Sequence, residues 1–287
     1  MTKFRFLTAL ALVTSILFGG TASAVPFQPV LDEFWIVKNG TELFRDSFSG
    51  GGLPPSGPDG ATTYSVSGAA GMTSESGGKL TMTPSLGDPV AITTTFADTF
   101  TGGLRTSSTN SASANFLGIA SSFSIHALYD MSNLPTVTGE GFQLRATDRA
   151  TGIGNQGDNT YTLNVGVNAS GDVVLVLRLL NFAANTSIAI QSFNLEPFLG
   201  SADQIELFFT KAADSDDLSA FFVLYDASDN VLTSGQLGAN TELDIYNGED
   251  YIRAQFGSTA RIPIPEPASI LLLGLGLAGF GWSRRRK

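Results

Sequence analysis

Apolar and polar residues alternate with a period of two through most of the chain between residues 25 and 262. The alternation is clearest in the segments 142–146, 161–167 and 204–210, in which every second residue is apolar. Because successive side chains of a strand point to opposite faces of a sheet, this period predicts half-buried β-strands. We find no stretch in this part of the chain with the period of an amphipathic helix.

Two segments are apolar at successive positions, which predicts strands buried on both faces near the centre of a sheet. They are DVVLVLRLLN at 172–181 and the pair Phe221 and Phe222. Clusters of turn-forming residues separate the predicted strands. These clusters are SGGGLPPSGPDG, GIGNQGDN, NASGD and DASDN. About a dozen short strands without crossover helices or a repeat of fixed period predict an all-β sandwich or barrel.

The first 24 residues have the composition of a secretory signal peptide. Two basic residues precede an apolar run from residue 6 to residue 18, and Ala22 and Ala24 place small side chains at the two positions that signal peptidase recognises. The apolar run is short for a membrane-spanning helix, which needs about 20 residues. We therefore predict export, with cleavage by signal peptidase after Ala24.

The last 25 residues, 263–287, combine three features. Pro265, Glu266 and Pro267 predict a rigid, extended tripeptide, because each proline fixes its own φ and disfavours a helix at the preceding residue. The apolar segment 268–282 follows, and as a helix it would extend about 22 Å, short of a bilayer core of about 30 Å. A basic cluster after it predicts retention of the end on the cytoplasmic side. This cluster is Arg284, Arg285, Arg286 and Lys287.

The tripeptide, the short apolar helix and the basic end, in this order, resemble the PEP-CTERM sorting signal of Gram-negative bacteria. The resemblance implies that exosortase, an enzyme embedded in the inner membrane, cleaves near the tripeptide after a transient membrane-associated stage. The protein is then released or transferred to the cell surface. Because such proteins occur in bacteria that make exopolysaccharide, the resemblance also offers exopolysaccharide as a partner. The sorting signal determines where the protein is delivered and gives no information on the function of the delivered domain.

The first strands predicted after the signal peptide come in a distinctive order. LFRDSFSGGGLP at 43–54 is followed by TTYSVSG and then by SGGKLTMTP. This succession of a D-x-F strand, a polar loop and a G-K-L strand resembles the beginning of concanavalin A-like lectin/glucanase domains, and the later alternating segments continue the pattern. The resemblance implies a jelly roll of two large antiparallel sheets, whose concave face often binds glycans.

The charge of the predicted mature domain limits its partners. Without the 6 basic and 1 acidic residues of the two end segments, 10 basic and 25 acidic residues remain, a net charge of about −15. This balance argues against binding nucleic acid or acidic polysaccharide through overall charge alone. The chain has no cysteine, which excludes disulfides and a thiol nucleophile, and its single histidine excludes histidine-rich zinc sites. No cofactor is indicated, with calcium left open.

The segment ELDIYNGED contains part of a glycosidase motif. Laminarinase-type glucanases of the concanavalin A-like fold carry Glu-x-Asp-x-Glu on a strand, and Glu242 and Asp244 match its first two positions. The second glutamate is missing, because Tyr246 or Asn247 occupies its place and Glu249 lies beyond a predicted turn. A retaining glycosidase needs two carboxyl groups about 5 Å apart. We therefore expect an ordinary strand and turn here rather than catalysis.

Other residues give weaker indications of a functional site. A serine-histidine or histidine-metal centre would require His126, but we expect a packed or surface residue of a strand. Three aspartates in KAADSDDLSA offer oxygen ligands for calcium without forming a calcium-binding loop, so a hairpin turn is expected. They are Asp214, Asp216 and Asp217. GIGNQG at 152–157 resembles half of a phosphate-binding loop, but lacks its strand-to-helix context. Polar residues of the kind that a glycan site uses are Arg145, Tyr161 and Asp203.

Together these patterns predict an exported, surface-sorted and non-enzymatic jelly-roll domain at 25–262, between a signal peptide at 1–24 and a sorting signal at 263–287. Our first hypothesis for the domain is a carbohydrate-interacting or matrix-associated role. One alternative is a glycan-active hydrolase on the same fold, with Glu242 and Asp244 in its site. Another is a purely structural surface protein that binds no small ligand.

Overall fold

The computed structural model describes the chain over several separate ranges, which together contain fifteen strands and one short 3-10 turn at Glu196–Phe198. The described ranges are 27–49, 63–64, 73–82, 96–105, 117–147, 159–181, 186–246 and 252–261. The predicted signal peptide, the loop GIGNQG and the whole of the predicted sorting signal lie outside them.

The strands are numbered in chain order. They are β1 (Val30–Lys38), β2 (Thr41–Asp46), β3 (Thr63–Tyr64), β4 (Thr73–Ser76), β5 (Lys79–Met82), β6 (Phe96–Arg105), β7 (Phe123–Asp130), β8 (Gly141–Thr147), β9 (Asn159–Val167), β10 (Val173–Asn181), β11 (Thr186–Asn194), β12 (Gln204–Lys211), β13 (Leu218–Tyr225), β14 (Val231–Leu237) and β15 (Arg253–Arg261).

The strands form two antiparallel sheets. Sheet 1 has the order β14-β13-β12-β7-β1-β5-β4, with β2 also paired to β1. Sheet 2 has the order β11-β10-β9-β8-β15-β6-β3. The prediction of an all-β protein with two antiparallel sheets is confirmed, and the narrower assignment to a jelly roll remains a hypothesis.

The core lies between the two sheets and is built by the predicted alternation. In β12, Ile205, Leu207 and Phe209 are fully buried while the intervening residues reach the outer face. Aromatic rings join the sheets, because Phe34 of β1 lies 4.9 Å from Phe256 of β15. The centroids of Tyr129 in β7 and Phe142 in β8 are 4.3 Å apart.

Both segments that were predicted to lie centrally have neighbours on either side. The strand β10 pairs with β9 and β11, and β13 pairs with β12 and β14. The predicted turn at 168–172 joins β9 to β10 and contains Gly171 with a φ of +93°. The predicted turn at 226–230 joins β13 to β14, where the Asp226 side chain accepts hydrogen bonds from the backbone N–H groups of Ser228 and Asn230.

The two strands nearest the ends of the described chain both lie inside their sheets. In sheet 1, β1 pairs with β7 on one side and with β2 and β5 on the other. In sheet 2, β15 pairs with β8 and with β6. Within the described ranges, no helix has the length and hydrophobicity that a membrane crossing requires.

Candidate functional site

A cleft lined by both aliphatic and polar side chains lies on the outer face of sheet 2, across the four strands from β8 to β11; the aliphatic ones include Val174, Val176 and Leu180. Its volume is ≈ 670 Å³, which is within the range of about 300–1,000 Å³ that ligand sites commonly have. The floor is formed by side chains that alternate with the core residues of each strand, so the same period that builds the core also builds the cleft.

The central row of the cleft crosses the strands in register. Arg145 of β8 is opposite Thr162 of β9, and Thr162 is opposite Arg178 of β10. The row ends at Ala189 of β11, which is exposed and leaves room beside Arg178. Two guanidinium groups therefore flank one hydroxyl on the cleft floor.

A second row runs alongside and carries amides. Gln143 of β8 is opposite Asn164 of β9, and both line the cleft. The Asn164 Nδ2 group donates to the carbonyl of Phe142 over 3.4 Å. At the rim, the Oε2 atom of Glu140 accepts hydrogen bonds from the backbone N–H groups of Thr136 and Val137.

Burial in this cleft is unusual for polar residues. Every residue of β8 is buried, including Gln143 and Arg145, which point away from the core. Thr162 is 1% exposed, and its Oγ1 atom has no hydrogen-bond partner among the described residues. Since buried polar groups are normally paired, an unsatisfied hydroxyl on the floor of a cleft indicates a place where a ligand or water can bind.

The outer face of sheet 1 carries a row of stacked rings. Trp35, His126, Phe208 and Phe221 lie in register on four neighbouring strands, with centroids 4.6, 5.0 and 5.1 Å apart and planes within 14° of parallel. The Arg45 guanidinium covers the far side of Trp35 at 4.5 Å. Because the rings stack on one another, the inner ones present edges rather than faces to solvent, so this row is a poor platform for a sugar.

His126 is held by hydrogen bonds at both ring nitrogens. Its Nδ1 atom is 2.7 Å from Oε1 of Glu206, and its Nε2 atom is 2.7 Å from Oγ of Ser124. The Tyr225 hydroxyl donates to Oε2 of Glu206 over 2.7 Å. Burial alone would raise the pKa of Glu206, but the bonds with His126 and Tyr225 and the charges of His126 and Arg45 outweigh it and lower that pKa.

The order serine, histidine and carboxylate is that of a nucleophile, a base and an orienting group. Acyl transfer also needs hydrogen-bond donors aimed at the developing oxyanion. Ser124 lies inside β7, which is paired on both sides, so ladder hydrogen bonds occupy neighbouring backbone N–H groups. The network therefore fixes the ring of His126 on the sheet. His126 is therefore a packed residue of a strand, which was one of the two positions expected for it.

Glu242 and Asp244 are both exposed, while Leu243 and Ile245 between them are buried. The expectation of a strand in this segment is wrong, because the segment forms only an isolated bridge between Asp244 and Asp217. Burial and the neighbouring charges of Asp216 and Asp217 raise the pKa of Asp244.

The three aspartates between β12 and β13 lie in the connecting turn, as expected. Asp214 has a φ of +56°, and the backbone carbonyl of Ser215 accepts a hydrogen bond from the buried ammonium of Lys211. The described residues contain no group of three or more acidic or histidine side chains arranged to hold a metal ion.

The three polar residues that the sequence indicated for a glycan site are separated in the structure. Arg145 lines the cleft. Tyr161 instead faces the core at 4% exposure, where its hydroxyl donates to the carbonyl of Asp244 over 3.2 Å. Asp203 is exposed in the turn before β12, and its backbone pairs with Met131 and Tyr225.

Sequence reasoning missed Arg178, Thr162, Asn164 and Gln143. Thr162, Asn164 and Gln143 occupy the polar phase of strands whose apolar phase the alternation identifies, so that phase is a usable signal for them. Arg178 lies in the segment 172–181, which is apolar at successive positions and gives no such signal. The signal was incomplete because it does not say which strands are neighbours.

One comparison with known proteins identifies part of the chain. Residues 263–286 match the family model of the PEP-CTERM protein-sorting motif, which confirms the predicted sorting signal. The motif indicates an exported protein that is sorted by exosortase and passes through a stage anchored in the membrane at its C-terminal region. No curated protein and no solved structure gives a significant match to this chain.

Proposed function

We propose that the exported domain is a non-enzymatic carbohydrate-binding protein that acts at the cell surface or in the extracellular matrix, and that the cleft across β8 to β11 is its binding site. Exosortase sorting gives the context, since it delivers the domain to the outside of the cell. An exopolysaccharide of the cell is the carbohydrate that we propose as its partner there.

The observation that supports the proposal is the set of hydrogen-bonding groups on the cleft floor. Sugars are recognised by several convergent hydrogen-bonding groups, and this floor supplies guanidinium, hydroxyl and amide groups on neighbouring strands. Because they stand on a paired sheet rather than on a loop, their spacing is set before a ligand arrives. Such preorganisation lowers the entropy lost on binding.

The absence of catalysis is part of the proposal. Glycoside hydrolysis requires an acid and a second carboxylate at a fixed spacing, and the cleft contributes one carboxylate, Glu140, among its described lining residues. The alternative hydrolase would act through Glu242 and Asp244. The raised pKa of Asp244 favours that alternative, because a general acid must hold its proton.

A blocking substitution tests the site. The full-length chain, purified in detergent, would be titrated with bacterial and algal polysaccharides, with and without calcium, while released reducing ends are measured. We expect binding without turnover. Ala189→Trp places a large ring beside Arg178 and should weaken binding at least tenfold, whereas Ser234→Trp, on the exposed edge strand of sheet 1, should not change it.

The other results separate the alternatives. Release of reducing ends that disappears with Glu242→Gln would establish the hydrolase. Equal binding by both tryptophan variants would place the site elsewhere. No binding to any polysaccharide would favour the purely structural protein.

A further inference from the structure

We infer that the cleft on sheet 2 selects an acidic saccharide, a chain that carries uronic acid units, and that Arg178 binds the sugar carboxylate. This inference rests on the proposed carbohydrate-binding function and specifies its ligand. It concerns a local pair of positive charges in a domain whose overall charge is strongly negative.

The first argument is that three other positively charged side chains already have partners within the described chain. Arg45 is paired with Glu33 and Glu42, and Lys79 is paired with Asp32 and Asp130. The buried Lys211 ammonium donates to three backbone carbonyls, those of Ile119, Ala212 and Ser215.

Arg178 differs from these residues. No ion pair or hydrogen bond joins its guanidinium to any part of the chain that the structure describes, although the side chain is half-buried on the cleft floor. In a domain with 25 acidic and 10 basic residues, an arginine without an acidic partner is unexpected. A ligand that brings the missing negative charge would account for it.

The second argument is the hydroxyl beside it. Thr162 lies between Arg145 and Arg178 in the register, and its buried Oγ1 atom makes no hydrogen bond within the described chain. Burying a hydroxyl without a partner is costly. A carboxylate bound by Arg178 lies next to this hydroxyl and can accept a hydrogen bond from it.

The third argument concerns the kind of anion. The planar fork of a guanidinium matches a carboxylate in two parallel hydrogen bonds. Each uronic acid unit adds one negative charge, against two for a phosphate monoester, so a domain of about −15 charge repels each such unit less. The adjacent amides of Gln143 and Asn164 supply donors and acceptors for the ring hydroxyls. A uronic acid presents both kinds of group on one ring.

A neutral sugar would satisfy the site less well. It would cover Arg178 and displace its water without supplying a negative charge, and such desolvation of an unpaired charge is unfavourable. The same reasoning predicts that removal of the charge from the ligand, with the ring unchanged, removes most of the affinity.

The test uses a ligand and its own neutral derivative. The full-length chain in detergent would be titrated calorimetrically with an oligogalacturonate, with the methyl ester of the same oligomer and with a neutral glucose oligomer. We expect the free acid to bind at least tenfold more tightly than the ester. Arg178→Gln should remove this difference. Arg45→Gln, which changes the net charge equally on sheet 1, should keep it.

Thr162→Val adds a second measurement. Valine keeps the shape and removes the unsatisfied hydroxyl, so the unliganded protein should melt about 2–4 °C higher. Binding of the acid should nevertheless weaken several-fold. A hydroxyl with only a structural role would change the melting temperature and leave the affinity as it was.

The outcomes distinguish the inference from the proposed function. Equal affinity for acid and ester, unchanged by Arg178→Gln, would overturn the inference and leave carbohydrate binding in place. No binding to any of these oligomers would overturn the inference, and no binding to the polysaccharide panel as well would also overturn the proposed function.

Discussion

The imidazole of His126 is fixed by neighbours from three strands. Trp35 and Phe208 cover its two faces, and Ser124 and Glu206 bind its two nitrogens. A side chain with both faces and both nitrogens occupied has few other rotamers available. At the scale of a residue, His126 therefore connects β1, β7 and β12 on the outer face of sheet 1.

This network predicts a dependence of stability on pH. The pKa of Glu206 is lower in the folded state than in the unfolded chain, so its ionised form stabilises the fold above about pH 4.5, and this contribution is lost as the pH falls through the folded pKa. Glu206→Gln should lower the free energy of unfolding by about 1–2 kcal/mol at pH 7. Urea unfolding at several pH values should show the difference shrinking below about pH 4.

The control for this measurement is Glu42→Gln. Glu42 forms an exposed ion pair with Arg45, and such pairs contribute about 0–1 kcal/mol. Its substitution should have little effect at any pH. A Glu206→Gln difference that stays constant from pH 7 to pH 3 would contradict the proposed role of the ionised carboxylate.

Lys211 gives a second prediction at this scale. Its Nζ atom donates to three carbonyls over 2.6, 2.7 and 2.9 Å and so joins the end of β12 to two turns. Lys211→Met keeps the aliphatic stem and leaves these carbonyls unsatisfied, which should cost about 3 kcal/mol or more in unfolding free energy. Lys79→Met, which removes an exposed ammonium, should cost less in the same urea titration. Equal losses would contradict the argument.

At the scale of elements, turns decide how strands are joined. Asn39 and Gly40 connect β1 to β2 with φ values of +50° and +76°, the conformation of a two-residue hairpin turn. Gly238 follows β14 with a similar φ of +70°, but an added Cβ would lie 2.8 Å from Cδ2 of the buried Leu177. The two glycines therefore have the same backbone requirement and different surroundings.

This pair separates backbone strain from crowding. Gly40→Ala should cost about 1–2 kcal/mol, the strain of a left-handed conformation in a residue with a Cβ atom. Gly238→Ala should cost about 1–3 kcal/mol more, because its methyl group also overpacks the core. Chemical unfolding of both variants measures the two terms. Equal losses at the two glycines would show that Leu177 can move aside without penalty.

The sequence predicted the strands more fully than the site. Alternation identified Ile205, Leu207 and Phe209 as core residues because burial of one face is a local property of a strand. Arg145 was recognised as a candidate, but its neighbours Thr162 and Arg178 come from other strands. Which residues stand side by side depends on strand order and register, and these are set by long-range packing.

Two expectations from the sequence were wrong because local alternation does not determine the three-dimensional neighbours of a residue. Tyr161 was proposed for a glycan site because its hydroxyl is polar, but its phase in β9 points it into the core. The segment with Glu242 and Asp244 alternates like a strand, although only Asp244 finds a bridge partner. Alternation indicates which side of a segment is buried, and it does not show that another strand will pair with it.

At the scale of the whole molecule, one hydrophobic core between two sheets predicts a single unfolding transition. A chain trimmed to residues 25–264 should fold without reductant or cofactor and melt cooperatively, with a far-ultraviolet circular dichroism spectrum dominated by β-structure. Buried residues from both sheets belong to one continuous cluster. Two separated transitions, or substantial helix, would contradict this prediction.

The sorting motif yields a prediction for the cell. Replacing Pro265, Glu266 and Pro267 by alanine should leave the protein in the membrane fraction, because this tripeptide of the sorting motif is the expected processing site. Replacing Ile262, just outside the matched residues, by alanine is the control and should permit release. Fractionation followed by immunodetection decides, and normal release of the triple variant would contradict the assignment.

The position of β15 has a mechanical consequence. This strand ends at Arg261, two residues before the start of the sorting motif at residue 263, and it is hydrogen-bonded to β8 on one side and β6 on the other. Tension on the tail during the anchored stage is therefore applied along two ladders at once. Pulling a strand lengthwise between two neighbours loads many hydrogen bonds together, whereas an edge strand would peel away one bond at a time.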